Sequence, residues 1–386
     1  MSWSTARADQ FCTLITDGTH DSPKPQQSGW KLITSKHLKG HYIDFDSANW
    51  ISEADYLKVI SRSAVEQWDI LFSMIGTIGN IYLEKNPHVE YACKNMGIFK
   101  FSGNKENALW MYYYLKSPQA KAYIQTHLRG STQAYVPLGG LREMPVPVPP
   151  QSVRNEIIAV LRPIDEKIEC NNAINDNLQQ QAAALFSSLY DRSNTEVRFT
   201  DLIQILGGGT PKTGENSYWN GNIAFFTPKD VGTPYTLITE KTISKEGLSH
   251  CNSRLYPVNT VFVTARGTVG KVGMSGVPMA MNQSCYALVG KETHQLLVYF
   301  YTLKAVDRLK HKASGAVFDA ITTRDFESEQ IMKLSDDDAT AFLRVAEPMF
   351  QEVLNNNIEN LRLSTLRDSL LPKLMSGEID VSAVLL

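Results

Sequence analysis

The sequence predicts a mixed α/β (α+β) protein in which two globular domains are separated by two long antiparallel coiled-coil helices, with a pseudo-twofold internal repeat. Three observations carry this prediction. The chain repeats itself at an offset that runs from 193 to 185 residues, β-rich runs recur in both copies, and each copy ends in a long segment with an apolar stripe. We place the globular domains at 1–150 and 194–335, and the helices at 151–193 and 336–386.

The internal repeat is visible as four matched segments. Phe226–Val231 matches Ile33–Leu38 at an offset of 193, Val261–Gly270 matches Ile70–Gly79 at 191, Asn282–Tyr286 matches Asn95–Phe99 at 187, and Gly315–Ile321 matches Gly130–Val136 at 185. Chance matches would scatter, whereas this offset falls steadily. A duplicated unit with a few small deletions in the second copy explains it.

Each copy opens with a turn and continues as short strands. The Gly/Pro clusters Gly18–Pro23 and Gly207–Pro211 predict loops. β-rich runs predict strands at Trp30–Thr34, Ile70–Ser73, Ile78–Tyr82 and Gly97–Phe101, and at Ile223–Thr227, Val261–Ala265 and Ser284–Val289. One helix then follows in each copy, at Leu109–Leu128 and at Gln295–His311.

The long helices follow these domains. Pro145–Pro150 predicts a stiff extended stretch that leads into a helix over 153–190, and a second helix is predicted over 339–375. The first apolar seam is Ile164, Ile168, Asn171, Asn175, Leu178, Ala182, Leu185 and Leu189, and the second is Val353, Leu354, Ile358, Leu361, Leu366, Leu370 and Leu374. Paired antiparallel, they would form a rod of roughly 50 Å with a globule at each end. Asn171 and Asn175 either face solvent or fix the register.

Composition restricts the class of protein. No apolar run reaches the roughly 20 residues of a membrane helix and no signal peptide is recognisable, so we expect a cytoplasmic protein without a membrane partner. The five cysteines contain no CxxC pair, which argues against zinc and disulfides. The net charge of −2 hides a mild excess of Lys and Arg over Asp and Glu in both globular domains, 15 against 13 and 15 against 12. Charge therefore permits DNA binding without demanding it.

Catalytic motifs are not found in the sequence. The Asn/Asp-Pro-Pro-Tyr/Phe loop of adenine methyltransferases is missing, since the one Pro-Pro pair, Pro149-Pro150, follows Val148. Gly207–Gly209 lacks the Lys and Ser/Thr of a phosphate-binding loop. His37 and His41 are interrupted by Gly40 and have no companion Glu, so metal binding is not expected. We expect no catalytic residue, no cofactor and no metal site.

Four motifs carry a resemblance to a known family. They are Gly18-Thr19-His20 with Pro23, Gly209–Lys212 with Tyr218–Asn220, Gly130–Gln133 before Pro145–Pro150, and Leu366–Leu374 with Ser376–Glu378. In this order and duplicated, they resemble the specificity subunit of type I restriction-modification systems. The resemblance implies that the globules are target-recognition domains that read the two halves of a split site on double-stranded DNA. It also implies that two methyltransferase (modification) subunits dock on the helices and that restriction/translocase subunits complete the complex.

Candidate DNA-contacting residues lie in the predicted loops. They are Thr19, His20, Lys36, Met74, Thr132, Gln133, Thr210, Lys212, Lys229, Arg266, Thr268, Gln283 and Phe318. For Arg266, Lys36 and Lys229 a solvated turn charge is the equal alternative. Candidate subunit or coiled-coil contacts are Ile164, Ile168, Leu178, Leu185, Val353, Leu361 and Leu370.

The two copies differ in these loops, which predicts an asymmetric target. His37 corresponds to Asp230, Ile75 to Arg266, and Thr132-Gln133 to Val317-Phe318. Two alternatives remain open at this point. One is a stand-alone DNA methyltransferase with an atypical motif, and the other is a coiled-coil scaffold protein.

Overall fold

The computed structural model describes residues 3–40, 42–232, 234–312 and 320–381, and it divides the chain between two units. Unit 1 contains Met1–Glu169 and Arg362–Leu386, and unit 2 contains Cys170–Leu361. Each unit therefore includes part of both long helices as well as one copy of the repeat. Among the described residues, no helix has the length and apolar character needed to cross a membrane.

Unit 1 is built from three small sheets and the helices that cover them. Its elements are β1 Ser4–Arg7, α1 Ala8–Phe11, β2 Leu14–Asp17, β3 Trp30–Ile33, β4 Asn49–Ile51, α2 Glu53–Ser63, β5 Ile70–Ser73, β6 Ile81–Leu83, β7 Tyr91–Cys93, β8 Met96–Lys100, α3 Lys105–Lys116, α4 Pro118–Thr126, α5 Leu138–Glu143 and β9 Pro145–Val148, before α6 Gln151–Asp191. The sheets have the orders β2-β8-β5-β6, β4-β3-β7 and β1-β9.

Unit 2 repeats this arrangement. Its elements are β10 Thr195–Arg198, α7 Phe199–Leu202, β11 Ile203–Gly207, β12 Trp219–Phe226, β13 Tyr235–Thr236, β14 Lys241–Ile243, α8 Lys245–Ser249, β15 Val261–Thr264, β16 Val272–Ser275, β17 Met279–Met281, β18 Cys285–Gly290, α9 Gln295–Lys312, α10 Thr323–Ser328, β19 Gln330–Lys333 and α11 Asp336–Ser376. The sheet orders are β11-β18-β15-β16-β13, β14-β12-β17 and β10-β19. Apart from the added β13, these are the sheets of unit 1, so the predicted mixed α/β repeat is confirmed.

Strand register corrects one of the predicted repeat matches. Ile70 pairs with Phe99 in unit 1, and its counterpart Val261 pairs with Leu288 in unit 2. Phe99 therefore corresponds to Leu288, and its predicted match with Tyr286 is wrong by two residues. A shift of two keeps every side chain on the same face of a strand, so apolar pattern alone does not exclude it.

The predicted helix Leu109–Leu128 is also wrong in one respect, because it is two helices. α3 ends at Lys116 and α4 begins at Pro118. The Ser117 hydroxyl accepts a hydrogen bond from the Ala120 amide at 3.3 Å, and Pro118 occupies the first turn, where its missing N–H costs nothing. Sequence periodicity spans this break because both helices bury apolar residues on α-helical spacing.

The proline-rich stretch is extended as predicted, but most of it is a paired strand. β9 runs antiparallel to β1, with Arg7 opposite Pro145 and Thr5 opposite Pro147. A strand with one neighbour tolerates proline, because the missing donors can face away from the ladder. The indole of Trp110 donates to the Pro147 carbonyl at 2.8 Å, and the Tyr114 hydroxyl donates to the Pro145 carbonyl at 2.5 Å.

In unit 2 the two long helices are antiparallel and joined by asparagine side chains. Asn171 donates to Glu359 at 2.8 Å and to Asn360 at 2.9 Å, while Asn175 donates to Asn357 at 3.0 Å. Asn171 and Asn175 are 0% and 4% exposed, so they do not face solvent. Directional hydrogen bonds at buried seam positions fix the register of a helix pair, as an apolar seam alone does not.

In unit 1 the helix pair is joined by charges that the predicted seam did not include. Leu366, expected in the seam, is 49% exposed, and the next residue, Arg367, faces the partner helix instead. Its guanidinium lies 2.6 Å from one oxygen of Asp165, and the Lys116 ammonium lies 3.1 Å from the other. Of the remaining predicted contacts, Val353 is buried and Ile164, Ile168, Leu178, Leu185, Leu361 and Leu370 are half-buried.

The Asp165 carboxylate pairs with two half-buried cations, Lys116 and Arg367. Burial alone would raise its pKa, but Lys116 and Arg367 outweigh burial and hold the pKa of Asp165 below its ordinary value. Burial lowers the pKa of Lys116. Removal of the carboxylate would leave both cations in a poorly hydrated site without a counter-charge.

We expect Asp165→Asn to destabilise unit 1 by about 3 kcal/mol, the typical cost of breaking a buried ion pair. Because the folded pKa of Asp165 is lowered, its contribution is present above the unfolded pKa of about 3.9 and is lost as the pH falls through the folded value. Urea unfolding at pH 7 and pH 3 measures both effects. The control is Glu166→Gln, which breaks a solvent-exposed pair with Arg162. Equal stability of the two variants at pH 7 would contradict the assignment.

Candidate nucleic-acid interface

Several loops lie together at one edge of the largest sheet of each unit, which is β2-β8-β5-β6 in unit 1 and β11-β18-β15-β16-β13 in unit 2. In unit 1 the end of β2 pairs with the start of β8 through Asp17 and Gly97, and the end of β5 pairs with the same start through Ser73 and Met96. Because these neighbours are antiparallel, the loop after β2, the segment before β8 and the loop from β5 to β6 emerge together. We call this the loop edge.

The second sheet delivers two more segments to the loop edge of unit 1. β3 and β7 are parallel, with Ile33 opposite Cys93, so both strands end at the same place. The Lys94 amide donates to the Ile33 carbonyl at 2.9 Å. The segment after β3, which carries the exposed Lys36, therefore begins beside the segment that leads into β8.

Unit 2 has the same loop edge. Gly207 pairs with Tyr286 and Thr264 pairs with Cys285, which places the ends of β11 and β15 beside the start of β18. β12 and β17 are parallel, and the Asn282 amide donates to the Phe226 carbonyl at 3.0 Å. Lys229 follows β12 as Lys36 follows β3.

Glycines shape the central loop of both edges. Gly76 and Gly79 have φ of +77° and +88°, and their counterparts Gly267 and Gly270 have φ of +80° and +73°. Only glycine adopts these angles without strain, so the turn is fixed by the backbone. The amide of Gly79 donates to Ser73 at 3.0 Å, and that of Gly270 to Thr264 at 2.9 Å. Between the glycines, Thr77 and Thr268 are exposed, while Ile78 and Val269 are half-buried against the core clusters.

A further loop joins the edge through a β-bridge. In unit 1 Arg129 and Tyr135 pair across a tight loop, and Tyr135 also bridges to Ile75 in the central loop. This pairing carries Thr132 and Gln133 to the loop edge. In unit 2 Arg266 bridges to Ala320, the equivalent position.

Most predicted DNA-contacting residues are exposed. Those with exposed side chains are His20, Lys36, Thr132, Gln133, Thr210, Lys212, Lys229, Arg266, Thr268 and Gln283, and Thr19 is half-buried. The carbonyl of Lys212 accepts from the indole of Trp219, at the start of β12. Phe318 lies outside the described residues. These placements leave the predicted contacts as predictions.

The structure does not support the predicted DNA contact of Met74. Its side chain is 8% exposed and belongs to the main core cluster of unit 1, where it lies beside Gly97. A side chain packed in the core does not reach a groove of DNA, so we assign Met74 a packing role. Sequence reasoning had placed it in the loop because it directly follows a strand.

His37 and Asp230 also differ from their predicted role as variable reading residues. Nδ1 of His37 accepts from the Thr34 amide at 2.9 Å, and a carboxylate oxygen of Asp230 accepts from the Thr227 amide at 2.8 Å. Both side chains therefore cap the turn that follows a central strand. His37 is 2% exposed, and burial lowers its pKa below the ordinary value.

Two residues that were not predicted from the sequence, Asn95 and Lys94, also contact the loop after β2 at the loop edge of unit 1. Asn95 has a left-handed φ of 54°, and its side chain contacts His20 at the loop edge of unit 1. Lys94 contacts Ser22 in the loop after β2. The misaligned repeat concealed Asn95, because it matched this residue with Asn282 and not with Gln283. Across the described ranges, no cluster of three His, Cys, Asp or Glu side chains is suited to a metal.

His37→Asp tests the capping role. A His with a lowered folded pKa contributes stability above its unfolded pKa of about 6.5, and this stability is lost as the pH falls through the folded value. The ordinary pKa of aspartate is about 3.9, so an aspartate cap does not titrate between pH 7.5 and 5. We therefore expect protection of the Thr34 amide to fall between pH 7.5 and 5 in the wild type and to persist in His37→Asp.

Hydrogen exchange, corrected for the intrinsic pH dependence, measures this protection. His88→Asp, at an exposed position of the same unit, is the matched control and should behave as the wild type. The same loss of protection in His37→Asp would contradict the capping role.

Residues 24–180 and 192–333 each match the family described as the type I restriction modification DNA specificity domain. Together these ranges cover more than half of the chain, and each includes most of one copy of the repeat.

Individual relatives agree with the family match. The chain is 22% identical to the type I restriction enzyme HindI specificity subunit of Haemophilus influenzae, over 85% of this chain and 90% of that protein. It is 26% identical to the EcoR124I/EcoR124II specificity subunit of Escherichia coli, over 51% of each chain. The crystal structure of a type I restriction-modification system S subunit from M. genitalium superimposes with a TM-score of 0.56 at 14% identity, covering 97% of this chain and 96% of that one. That likeness shows the fold.

Proposed function

The chain belongs to the family of type I restriction modification DNA specificity domains, and from this membership we propose that each unit reads one half of a split, asymmetric DNA site. The chain is a DNA sequence-specificity subunit of a type I restriction-modification system. As such a subunit, it acts on DNA together with the other subunits of the system.

Two unequal half-sites are supported by the loop edges, which share one backbone arrangement but carry different side chains. We call this shared backbone arrangement the frame. Both loop edges have the same strand pairs, positive-φ glycines and caps. The side chains on this frame differ, since the exposed Arg266 stands where unit 1 has the half-buried Ile75. Equal frames with unequal side chains would present different donors and acceptors to base edges, and the target would not be palindromic.

The cations of the loop edge divide into two expected roles. Lys36 and Lys229 follow equivalent central strands, and the one ion pair of Lys229 with a described residue is an exposed contact with Glu240 at 3.5 Å. Such a pair contributes little, so the ammonium is available to a phosphate. Arg266, in the glycine-bounded loop, has the fork of donors that suits a guanine edge.

The proposal also covers the partner subunits of this chain and its part in the reaction. We propose that two methyltransferase subunits dock on the long helices, that restriction and translocase subunits join them, and that this chain contributes recognition without catalysis. Two family matches within one chain support recognition over the two alternatives, a stand-alone methyltransferase and a scaffold.

Co-expression with the partner methyltransferase tests the function. Single-molecule sequencing of the host DNA should reveal methylated adenines in one split motif only when this chain is present. Replacement of this chain by a relative with different loop edges should change the motif. An unchanged motif after that exchange would overturn the proposal.

Lys229→Ala should weaken DNA binding about equally for all sequences. Loss of one phosphate contact should also lower the slope of log affinity against log salt by about 1. Fluorescence anisotropy between 50 and 200 mM salt measures the slope for the assembled complex. Lys121→Ala, on the exposed side of α4, is the matched control. A slope equal to that of the control would exclude Lys229 from the interface.

Arg266→Ala should relax one base position and leave the other half-site unchanged. Loss of a bidentate contact to guanine lowers discrimination at that base by roughly tenfold to a hundredfold. Methylation of duplexes that carry each base at each motif position measures this discrimination. The substitution Ile75→Ala at the equivalent position of unit 1 is the comparison. Uniform weakening across all positions would assign Arg266 to the phosphate backbone instead.

A further inference from the structure

The two loop edges carry an equivalent pair of polar side chains. In unit 1 the Thr19 amide donates to the Cys93 carbonyl at 2.9 Å, and in unit 2 the Gly209 amide donates to the Met281 carbonyl at 3.1 Å. Thr19 therefore corresponds to Gly209, and the residues that follow them correspond as well. These are His20 and Thr210.

The partners of His20 and Thr210 are also equivalent. Lys94 and Asn282 both donate to the last residue of the adjacent parallel strand, at 2.9 and 3.0 Å. The next residues are Asn95 and Gln283. Both carry a side-chain amide, and the equivalent hydrogen bonds of Lys94 and Asn282 match them. Met96 corresponds to Cys285 in the strands that follow, so unit 2 has one extra residue, Ser284, between Gln283 and β18.

In both units the amide oxygen is held from the neighbouring loop. Nδ1 of His20 lies 2.8 Å from Oδ1 of Asn95, and the Thr210 hydroxyl donates to Oε1 of Gln283. His20 is itself held by Asp17, whose carboxylate lies 2.8 Å from Nε2. Each amide is therefore orientated by a contact that uses one of the two lone pairs of its oxygen.

The remaining hydrogen-bonding capacity of both amides is unused by the protein. Within the ranges that the structure describes, neither amide nitrogen donates a hydrogen bond to another residue, and Gln283 is exposed while Asn95 is half-buried. One acceptor and one donor remain side by side on each amide. That pattern complements N6 and N7 of adenine in the major groove, the preferred bidentate partner of Asn and Gln.

We propose that Asn95 and Gln283 are specificity-determining residues, each of which reads an adenine in its own half-site. His20 and Thr210 are positioning residues that fix the orientation of the two amides. This inference rests on the proposed function. It adds that equivalent positions of the two units recognise the same base, adenine. The two half-sites, although different in sequence, would share an adenine at corresponding positions.

Gln283→Glu is the principal test, because Gln283 is exposed and its substitution disturbs no packing. A carboxylate keeps the acceptor and loses the donor, so it is repelled by adenine N7 and favours the cytosine amino group. Methylation by the assembled complex is measured on duplexes that carry each base at each motif position. We expect about tenfold to a hundredfold less methylation of the adenine-containing duplex, with a new preference at that one position. Asn95→Asp should change one position in the other half-site.

Two further variants separate reading from structure. Gln119→Glu makes the same chemical change at an exposed position of α4 and should keep the wild-type motif. Thr210→Val should lower discrimination at the base that Gln283 reads, and Thr210→Ser, which restores the hydroxyl, should recover it. A merely structural role of Thr210 would not act on that single base.

The outcomes distinguish this inference from the function on which it rests. Absence of any motif with the wild-type chain would overturn the proposed function. A wild-type motif that Gln283→Glu leaves unchanged would overturn the inference alone. So would a loss of methylation that brings no changed preference at any single position of the substituted duplexes.

Discussion

The pairing of the first and last strand of each copy is the constraint on which the remaining structure depends. β1 pairs with β9 and β10 pairs with β19, so the ends of each copy are held side by side. In unit 2 the buried Glu329 precedes the closing strand, its carbonyl accepts from the Phe199 amide at 2.9 Å, and its carboxylate contacts Lys312. Closure makes each copy a complete fold and delivers the chain into a 41-residue helix.

The long helices are part of the cores that this closure creates. In unit 1, Ile157, Leu161 and Leu371 belong to the cluster that includes the sheet residues. In unit 2, Phe186 stacks on Phe300 at 4.9 Å and meets Phe342 edge to face. The helix seam changes character along its length, from these aromatic contacts to asparagines and then to the Asp165 cluster. Apolar burial stabilises the ends, while directional polar contacts specify the alignment between them.

Sequence reasoning predicted those features that depend on patterns several residues long. The duplication, the long helices and the strands Ile70–Ser73 and Val261–Thr264 follow from repeated segments and apolar runs. It failed where one side chain determines which residues are in contact. Arg367 occupies a seam position that periodicity assigned to Leu366, because a buried cation is recognisable only once Asp165 is opposite it. Asn95 was missed for a related reason, since its equivalence to Gln283 follows from the backbone hydrogen bonds of Lys94 and Asn282, whereas the sequence repeat matches Asn95 with Asn282.

In the loop edges the residues that hold the backbone are different from the residues whose side chains are exposed. This difference has a consequence for mutations in the loop edges. Positive-φ glycines, turn caps and strand pairs hold the backbone, while the exposed side chains at Gln133, Arg266 and Gln283 support no core contact. Substitution of such residues ordinarily changes stability by less than about 0.5 kcal/mol. On the proposed function, single mutations at these positions would change the DNA target while the chain stays folded. Stability and DNA specificity would then depend on largely separate sets of residues.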